Sequence, residues 1–346
     1  MTEPANEPES SAVSFVSLRK VIVFVLAAVV VYLAIMFFFE FERVTAAIAA
    51  IDWWWVLPVM MVLSFGNYLL RYIKWQYYLR QIDVNLSHTD SFSIFLAGFT
   101  LTTSPGKIGE AIKGYFINDL DGTPIAKTVP VVASERVTDM LAMVILAMAG
   151  LVIGLSGVDQ LRTVLILGGV VLVGAIMLGQ PRFYNIFLGR MTSFGPLKRF
   201  KNSVGLIEDT MAKTLSPKPM VLSTTISVPG WFMECIELWL LLSLLTGVGL
   251  PSLTVSSLNL LMVSTFIHST ASVVGALSFL PGGLGTYEIT SIALIILLLG
   301  LPEMTAEVIA GAATIIIRFV TLWFSVIVGF LALGIVTRRR RSKQVD

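Results

Sequence analysis

Apolar runs long enough to cross a lipid bilayer recur along this 346-residue chain. They extend over Val21 to Phe39, Trp53 to Leu79, Val129 to Ile153, Val164 to Gly179, Met220 to Leu245 and Thr305 to Val336. About 20 such residues suffice for one helical crossing. With 56% apolar and only 13% charged residues and a mean hydropathy of +0.85, the composition excludes an ordinary soluble domain. Within hydrocarbon every backbone N–H and C=O needs a partner inside its own segment, which leaves helices as the default. The fold class expected is an all-α polytopic membrane protein. The first run follows an acidic leader, residues 1–18, whose composition reads as disordered. That run is longer than a signal-peptide core and has no small-residue cleavage site after it, so it reads as a retained span. The single Cys235 lies in an apolar run without a partner cysteine and reads as packing.

Two further apolar regions, Ser91 to Leu120 and Thr254 to Leu299, are each interrupted by a similar motif. The first reads Ser104-Pro105-Gly106-Lys107-Ile108-Gly109-Glu110, and the second Leu280-Pro281-Gly282-Gly283-Leu284-Gly285-Thr286-Tyr287-Glu288. Proline removes a backbone donor and glycine permits positive φ, so each motif ends one helix and begins another. The backbone groups freed there are tolerated in a membrane only where they are buried in protein or line a cavity.

Basic residues orient the spans. Arg19 and Lys20, then Arg71, Lys74 and Arg80, then the basic linker 181–219, and finally the tail 338–346 mark one side. The positive-inside rule makes that side cytoplasmic. The loops around Glu40, Glu42 and Asp52, around Asp159, and around Glu303 and Glu307 fall on the other. Parity then requires Ser91 to Leu120 to enter and leave on the cytoplasmic face. Each of its arms holds about 14 residues, or roughly 21 Å of helix, too short to cross, so a re-entrant hairpin is expected. The second region enters and leaves on the opposite face and is long enough for either a hairpin or two full helices. The architecture expected is about six full spans plus two broken or re-entrant hairpins in one transmembrane domain, 19–337, with inverted repeats at about 53–155 and 220–336. Broken helices at corresponding places in inverted repeats are a transporter arrangement.

Charges inside spans cost about 2.5 to 3.5 kcal/mol each on insertion scales and are functional candidates. Glu135, Arg136 and Asp139 fall within about one helical turn, as a self-neutralising pair or as part of a site. Arg318 has no acidic neighbour in its own span, so its partner is Glu110, Glu288, Glu234, Glu237 or an anionic ligand, for which a planar guanidinium is suited. Lys107 and Lys113 place positive charge near the start of the second arm, where free N–H groups also favour anions. Lys113 reads equally as an interfacial residue. Glu110 reads as a cap or as a proton-coupling carboxylate. Arg71 and Lys74 read as interfacial anchors, His268 as hydrogen-bonded packing, and Trp53 to Trp55 as an interfacial belt. With two histidines and one cysteine, neither a metal nor another cofactor is expected.

At these residues the chain resembles the lysylphosphatidylglycerol synthase transmembrane-region family, also called UPF0104. The resemblance rests on Pro105-Gly106-Lys107-Ile108-Gly109-Glu110 with Lys113, on Glu135-Arg136 with Asp139, and on Pro281-Gly282-Gly283-Leu284-Gly285 with Glu288. It implies a membrane domain which, in multiple-peptide-resistance proteins, moves aminoacylated phosphatidylglycerol between leaflets. Those proteins carry a soluble aminoacyl-transferase domain as well, for which this sequence is expected to have no room. Other relatives handle lipid-linked sugars, hopanoids or other lipids.

The function expected is a lipid flippase or transporter, not an enzyme, that takes an anionic or phosphate-containing lipid at a midplane site. The residues expected to bind it are Pro105, Gly106, Lys107, Gly109, Glu110, Lys113, Glu135, Arg136, Asp139, Pro281, Gly282, Gly283, Gly285, Glu288 and Arg318, with Arg318 marking the last span. An integral-membrane enzyme acting on a lipid phosphate and a lipid-binding scaffold are the alternatives. Partners expected are membrane lipids, no nucleic acid, and, on the scaffold reading, a lipid-modifying protein. The location expected is a bacterial inner membrane with both termini cytoplasmic.

Overall fold

The computed structural model describes residues 41–154 and 203–343 together with Val30 and Leu33. The expected span Val164 to Gly179, the leader, the first part of the linker and nearly all of Val21 to Phe39 lie outside the described residues. The described segments are helical, and six of them are long and apolar enough to cross a membrane. The chain is an all-α polytopic membrane protein.

A short helix α1 (Phe41–Ala49) leads into α2 (Trp53–Gln81). The chain turns at Asp83, which has a left-handed φ of 54°. It restarts in α3 (His88–Ala97), where the Ser87 hydroxyl accepts from the Asp90 N–H at 3.1 Å and satisfies one of the free donors of the first turn. Tight 3-10 turns, Gly98–Leu101 and Pro105–Ala111, carry the first motif into α4 (Ile112–Asp121). Gly122, at φ 77°, ends α4 in the left-handed conformation that glycine adopts without strain. Then follow α5 (Ile125–Gly154), α6 (Val204–Thr214), α7 (Pro217–Leu245) and α8 (Val255–Leu277). After the second motif come α9 (Thr286–Leu298) and α10 (Glu303–Arg318). A π-turn, Phe319–Trp323, joins α10 to α11 (Phe324–Lys343).

The two broken regions differ in reach. Helices α3 and α4 have 10 residues each, or about 15 Å of rise, and neither spans the hydrocarbon. Helix α8 has 23 residues and the segment Pro281–Leu298 has 18, both of spanning length. Of the two readings left open for the second region, two helices of spanning length is the one observed. Helix α11 runs on into the basic tail as far as Lys343.

Helices α2 and α7 run antiparallel. Ser64 bonds to Glu237, Asn67 to Glu234 and to the Gly230 carbonyl, and Lys74 to Ser227, so partner numbers fall as α2 numbers rise. Around this pair each broken region packs against the closing span of the other half: α8 lies along α5, and α3 with its 3-10 turn lies along α11. Glycines make both contacts close. A Cβ at Gly150 would stand 2.6 Å from the Met262 carbonyl oxygen and the Phe266 nitrogen, and one at Gly329 would stand 2.7 Å from the Phe99 carbonyl carbon.

Two apolar clusters occupy opposite ends of α2. One gathers Val56 and Met60 with Leu238, Leu241, Ile267, Ile295 and Ile317. The other gathers Trp75, Tyr78 and Leu79 with Phe95, Phe99, Phe116 and Val131. Ser64 and Asn67 lie between them and Arg71 and Lys74 fall among the residues of the second, so the polar face of α2 begins near the middle of the helix. At one end of the bundle Arg339 of α11 pairs with Asp90 of α3 at 3.1 Å, and the Thr210 hydroxyl of α6 donates to the Lys127 carbonyl at the start of α5. Basic segments from both halves thus converge on these helix ends.

Candidate functional site

Asn67, Arg71 and Lys74 recur at intervals of four and three along α2, so they share one helical face. That face points inward. Arg71 is 5% exposed and Lys74 fully buried, which corrects their reading as interfacial anchors. Their end of α2 is covered by the first broken region, α5 and α7, so neither side chain lies on the outer surface of the bundle.

Around them the first break builds an ion network. Glu110 accepts from the Thr102 hydroxyl at 2.6 Å and from Arg136 at 2.7 Å, with Lys113 at 3.9 Å and Arg71 at 4.0 Å. Lys113 reaches Glu135 at 2.6 Å and sits over the Trp75 ring. It is fully buried, so the interfacial reading does not hold. Asp139 is paired with Lys74 and accepts from Ser227 and Trp231 at 3.0 Å each, with Arg136 at 3.4 Å. The expected turn of charges on α5 therefore splits. Arg136 and Asp139 stay together, while Glu135 pairs with Lys113 of α4. Removing a carboxylate from such a network leaves buried cations without compensation, which is the expensive state.

In the second break Gly282, Gly283 and Gly285 have φ of 61°, 68° and 83°. The turn also needs glycine for space, since a Cβ on Gly283 would stand 3.0 Å from the Gly275 Cα of α8. Glu288 accepts from the Gly285 N–H at 2.7 Å, satisfying a free donor at the start of α9. Its other oxygen binds Arg318 at 2.8 Å, and Arg318 also donates to the Gly282 carbonyl at 2.6 Å. Among the carboxylates open to Arg318 on sequence grounds, the structure selects Glu288. Next to this clamp runs a hydrogen-bonded chain: Tyr287 hydroxyl to His268 Nδ1 at 2.9 Å, His268 Nε2 to Glu234 at 3.2 Å, and Asn67 to Glu234 at 3.1 Å.

The two breaks meet, and beside their junction lies a cavity of about 580 Å³. Of the residues singled out from sequence, Lys107, Arg136, Asp139, Gly282, Gly283 and Arg318 line it. Glu110, Lys113, Glu135 and Glu288 stand behind the wall as buried partners. Gly109 donates its N–H to the Ser104 hydroxyl at 2.7 Å, and Gly285 caps α9, so both shape turns and neither lines the cavity. Pro105 and Pro281 open the two 3-10 turns, and Gly106 follows the first of them, so these three also serve the course of the backbone. Trp231 and Thr102 carried no signal in the sequence, and His268, read as packing, lines the cavity while keeping its hydrogen bonds. Regular spacing of Asn67, Arg71 and Lys74 was the available clue to the α2 wall.

Two comparisons with known proteins bear on the lineage of this fold. A UPF0104 membrane protein of Methanothermobacter thermautotrophicus is 23% identical over 295 residues, covering 79% of this chain and 83% of that protein. The family model described as the lysylphosphatidylglycerol synthase TM region matches residues 24–329. The chain belongs to the lysylphosphatidylglycerol synthase TM region family.

Proposed function

We propose that the chain is a lipid flippase that moves an anionic, phosphate-containing lipid between leaflets, acting as a transporter and not as an enzyme. The observation that carries the reading is the composition of the cavity wall. On it Arg71, Lys107, Arg136 and Arg318 outnumber Asp139 and Glu234, charges that a membrane otherwise excludes. Leu277, Phe279 and Leu280 continue the same wall and are 57%, 67% and 44% exposed. A headgroup held at the cations leaves its acyl chains against this apolar rim and in the bilayer. The broken helices bring backbone and charge together at this wall, the arrangement transporters use for midplane binding. Membership of a family described as the lysylphosphatidylglycerol synthase TM region supports a lipid as the ligand.

The proposal includes an orientation. Basic helix ends converge near Arg80, Lys127 and Arg339, and we place that end and both termini on the cytoplasmic side of a bacterial inner membrane.

Reconstitution tests the function. Full-length protein in liposomes is expected to accelerate bleaching, by an added membrane-impermeant reductant, of inner-leaflet fluorescent anionic lipid. Lys107→Gln is expected to slow that exchange. Failure with every anionic phospholipid and polyprenyl-phosphate lipid tried overturns the reading.

A further inference from the structure

Charge in the first half of the site does not balance. Within ion-pairing distance Arg71, Lys74, Lys113 and Arg136 meet Glu110, Glu135 and Asp139, and Lys107 meets no carboxylate among the described residues, so five cations stand against three carboxylates. The opposite wall offers Arg71 and Lys107 no ion pair among the described residues. Arg318 and Glu288 are bonded to each other. Glu234 lines the same cavity and is hydrogen-bonded to Asn67 and His268, and Glu237 bonds to Ser64, about two turns along α2 from Arg71.

The excess is localised. Lys107 forms no ion pair among the described residues, and its ammonium stands 5.6 Å from the centroid of the Trp231 ring. The Arg71 guanidinium stands 5.5 Å from the same centroid and 4.9 Å from that of Phe99. Its Nε and Nη2 are buried and make no hydrogen bond, and both of its ion contacts are long, at 4.0 Å. Two cations on one indole, both lining the cavity and one with unused donors, make a receptor for an anion. Lys107 is also held at a left-handed φ of 56°, a conformation disfavoured for a residue with a Cβ and therefore kept only where the surroundings enforce it.

We propose that this subsite, Arg71 and Lys107 on Trp231, takes a phosphate as its dianion: a lipid phosphate monoester in preference to a phosphodiester. The inference rests on the flippase reading. A monoester carries a second charge at pH 8 that a diester lacks, and two charges match the two cations on Trp231. Arg318 has no part in this selection, since its guanidinium already holds the second break together.

Binding of three probes to purified full-length protein in neutral detergent tests it: dioleoyl phosphatidic acid, dioleoyl phosphatidylglycerol and inorganic phosphate. At pH 8 the monoester lipid is expected to bind at least about tenfold tighter than the diester. Lys107→Gln is expected to erase most of that preference by weakening the monoester alone, and Lys107→Arg to keep it. Lys107 has no ion pair to break among the described residues, so folding is expected to survive, and an unchanged elution profile and melting temperature check this. Equal affinity for the two lipids overturns the monoester inference and leaves the flippase reading standing. Binding of neither lipid overturns both. Tight binding of inorganic phosphate that neither lipid displaces assigns the subsite to a soluble anion and overturns the lipid assignment.

Discussion

Arg136 and Glu110 lie 2.7 Å apart across 26 residues of chain, fastening the first break to the span that follows it. Arg318 and Glu288 repeat the relation in the second half at 2.8 Å. In both halves the intramembrane arginine finds the glutamate at the end of its own Pro-Gly motif. Each break is therefore a local turn pinned by a long-range ion pair.

Breaking one partner of such a pair strands the other in a buried place, which typically costs about 3 to 5 kcal/mol. Glu288→Gln is expected to lower the melting temperature of the detergent-solubilised protein sharply. Glu288→Met combined with Arg318→Met is expected to recover a large part of that loss, because no charge remains stranded. Thermal melts of the two single methionine variants and the double variant, read as a cycle, measure the coupling.

The close approach of α11 to the first break predicts a graded glycine series. Gly329→Ala places a Cβ against the Phe99 and Thr100 backbone, and Gly150→Ala places one against Met262 and Phe266, where the obstructing atoms are main chain. Overpacking of this kind costs about 1 to 3 kcal/mol. Gly334, also in α11, has nothing within 4 Å of the point a Cβ would occupy. Gly334→Ala is expected to be neutral or to stabilise by up to about 1 kcal/mol through helix propensity. Melting temperatures that do not separate these variants refute the packing.

Lys107→Gly separates backbone from charge. Glycine accepts φ 56° freely, so the gain in native backbone energy is offset by a more flexible unfolded chain, and stability is expected to stay within about 1 kcal/mol of wild type. Lipid exchange in liposomes is expected to fall as far as it does in Lys107→Gln. Full exchange by the glycine variant shows that the ammonium is dispensable.

Sidedness has its own measurement. In a Cys235→Ser background, cysteines at Asp121 and Leu253, both exposed positions, are expected to react with an impermeant maleimide from opposite faces of oriented vesicles. Glu303→Cys is expected to behave as Leu253→Cys does. Labelling of all three from one face contradicts the orientation.

Apolar run length located the four described helices α2, α5, α7 and the α10–α11 segment, because hydrocarbon thickness dictates it. The two Pro-Gly motifs were legible for the same local reason: their chemistry stops a helix wherever it occurs. The partnerships were not. Nothing in the spacing of Arg318 tells it from a ligand arginine, since its glutamate lies 30 residues away in sequence. Arg71 and Lys74 looked like membrane-surface anchors because they fall near the end of an apolar run. Only the packing of α7 and the first break over that end buries them. Trp231 had no local signal, as its role comes from Asp139 beneath its N–H and two cations over its ring.

The exchange of contacts between halves, with α8 on α5 and α3 on α11, makes the two halves a clasp. Neither broken region can swing with its own half as an independent arm, because its nearest backbone neighbour belongs to the other. Gly150 and Gly329 are the points where the clasp closes to main-chain contact. Any second conformation of this fold must either carry both interlocked pairs as rigid bodies or open them together, so motion at one face of the membrane is mechanically felt at the other.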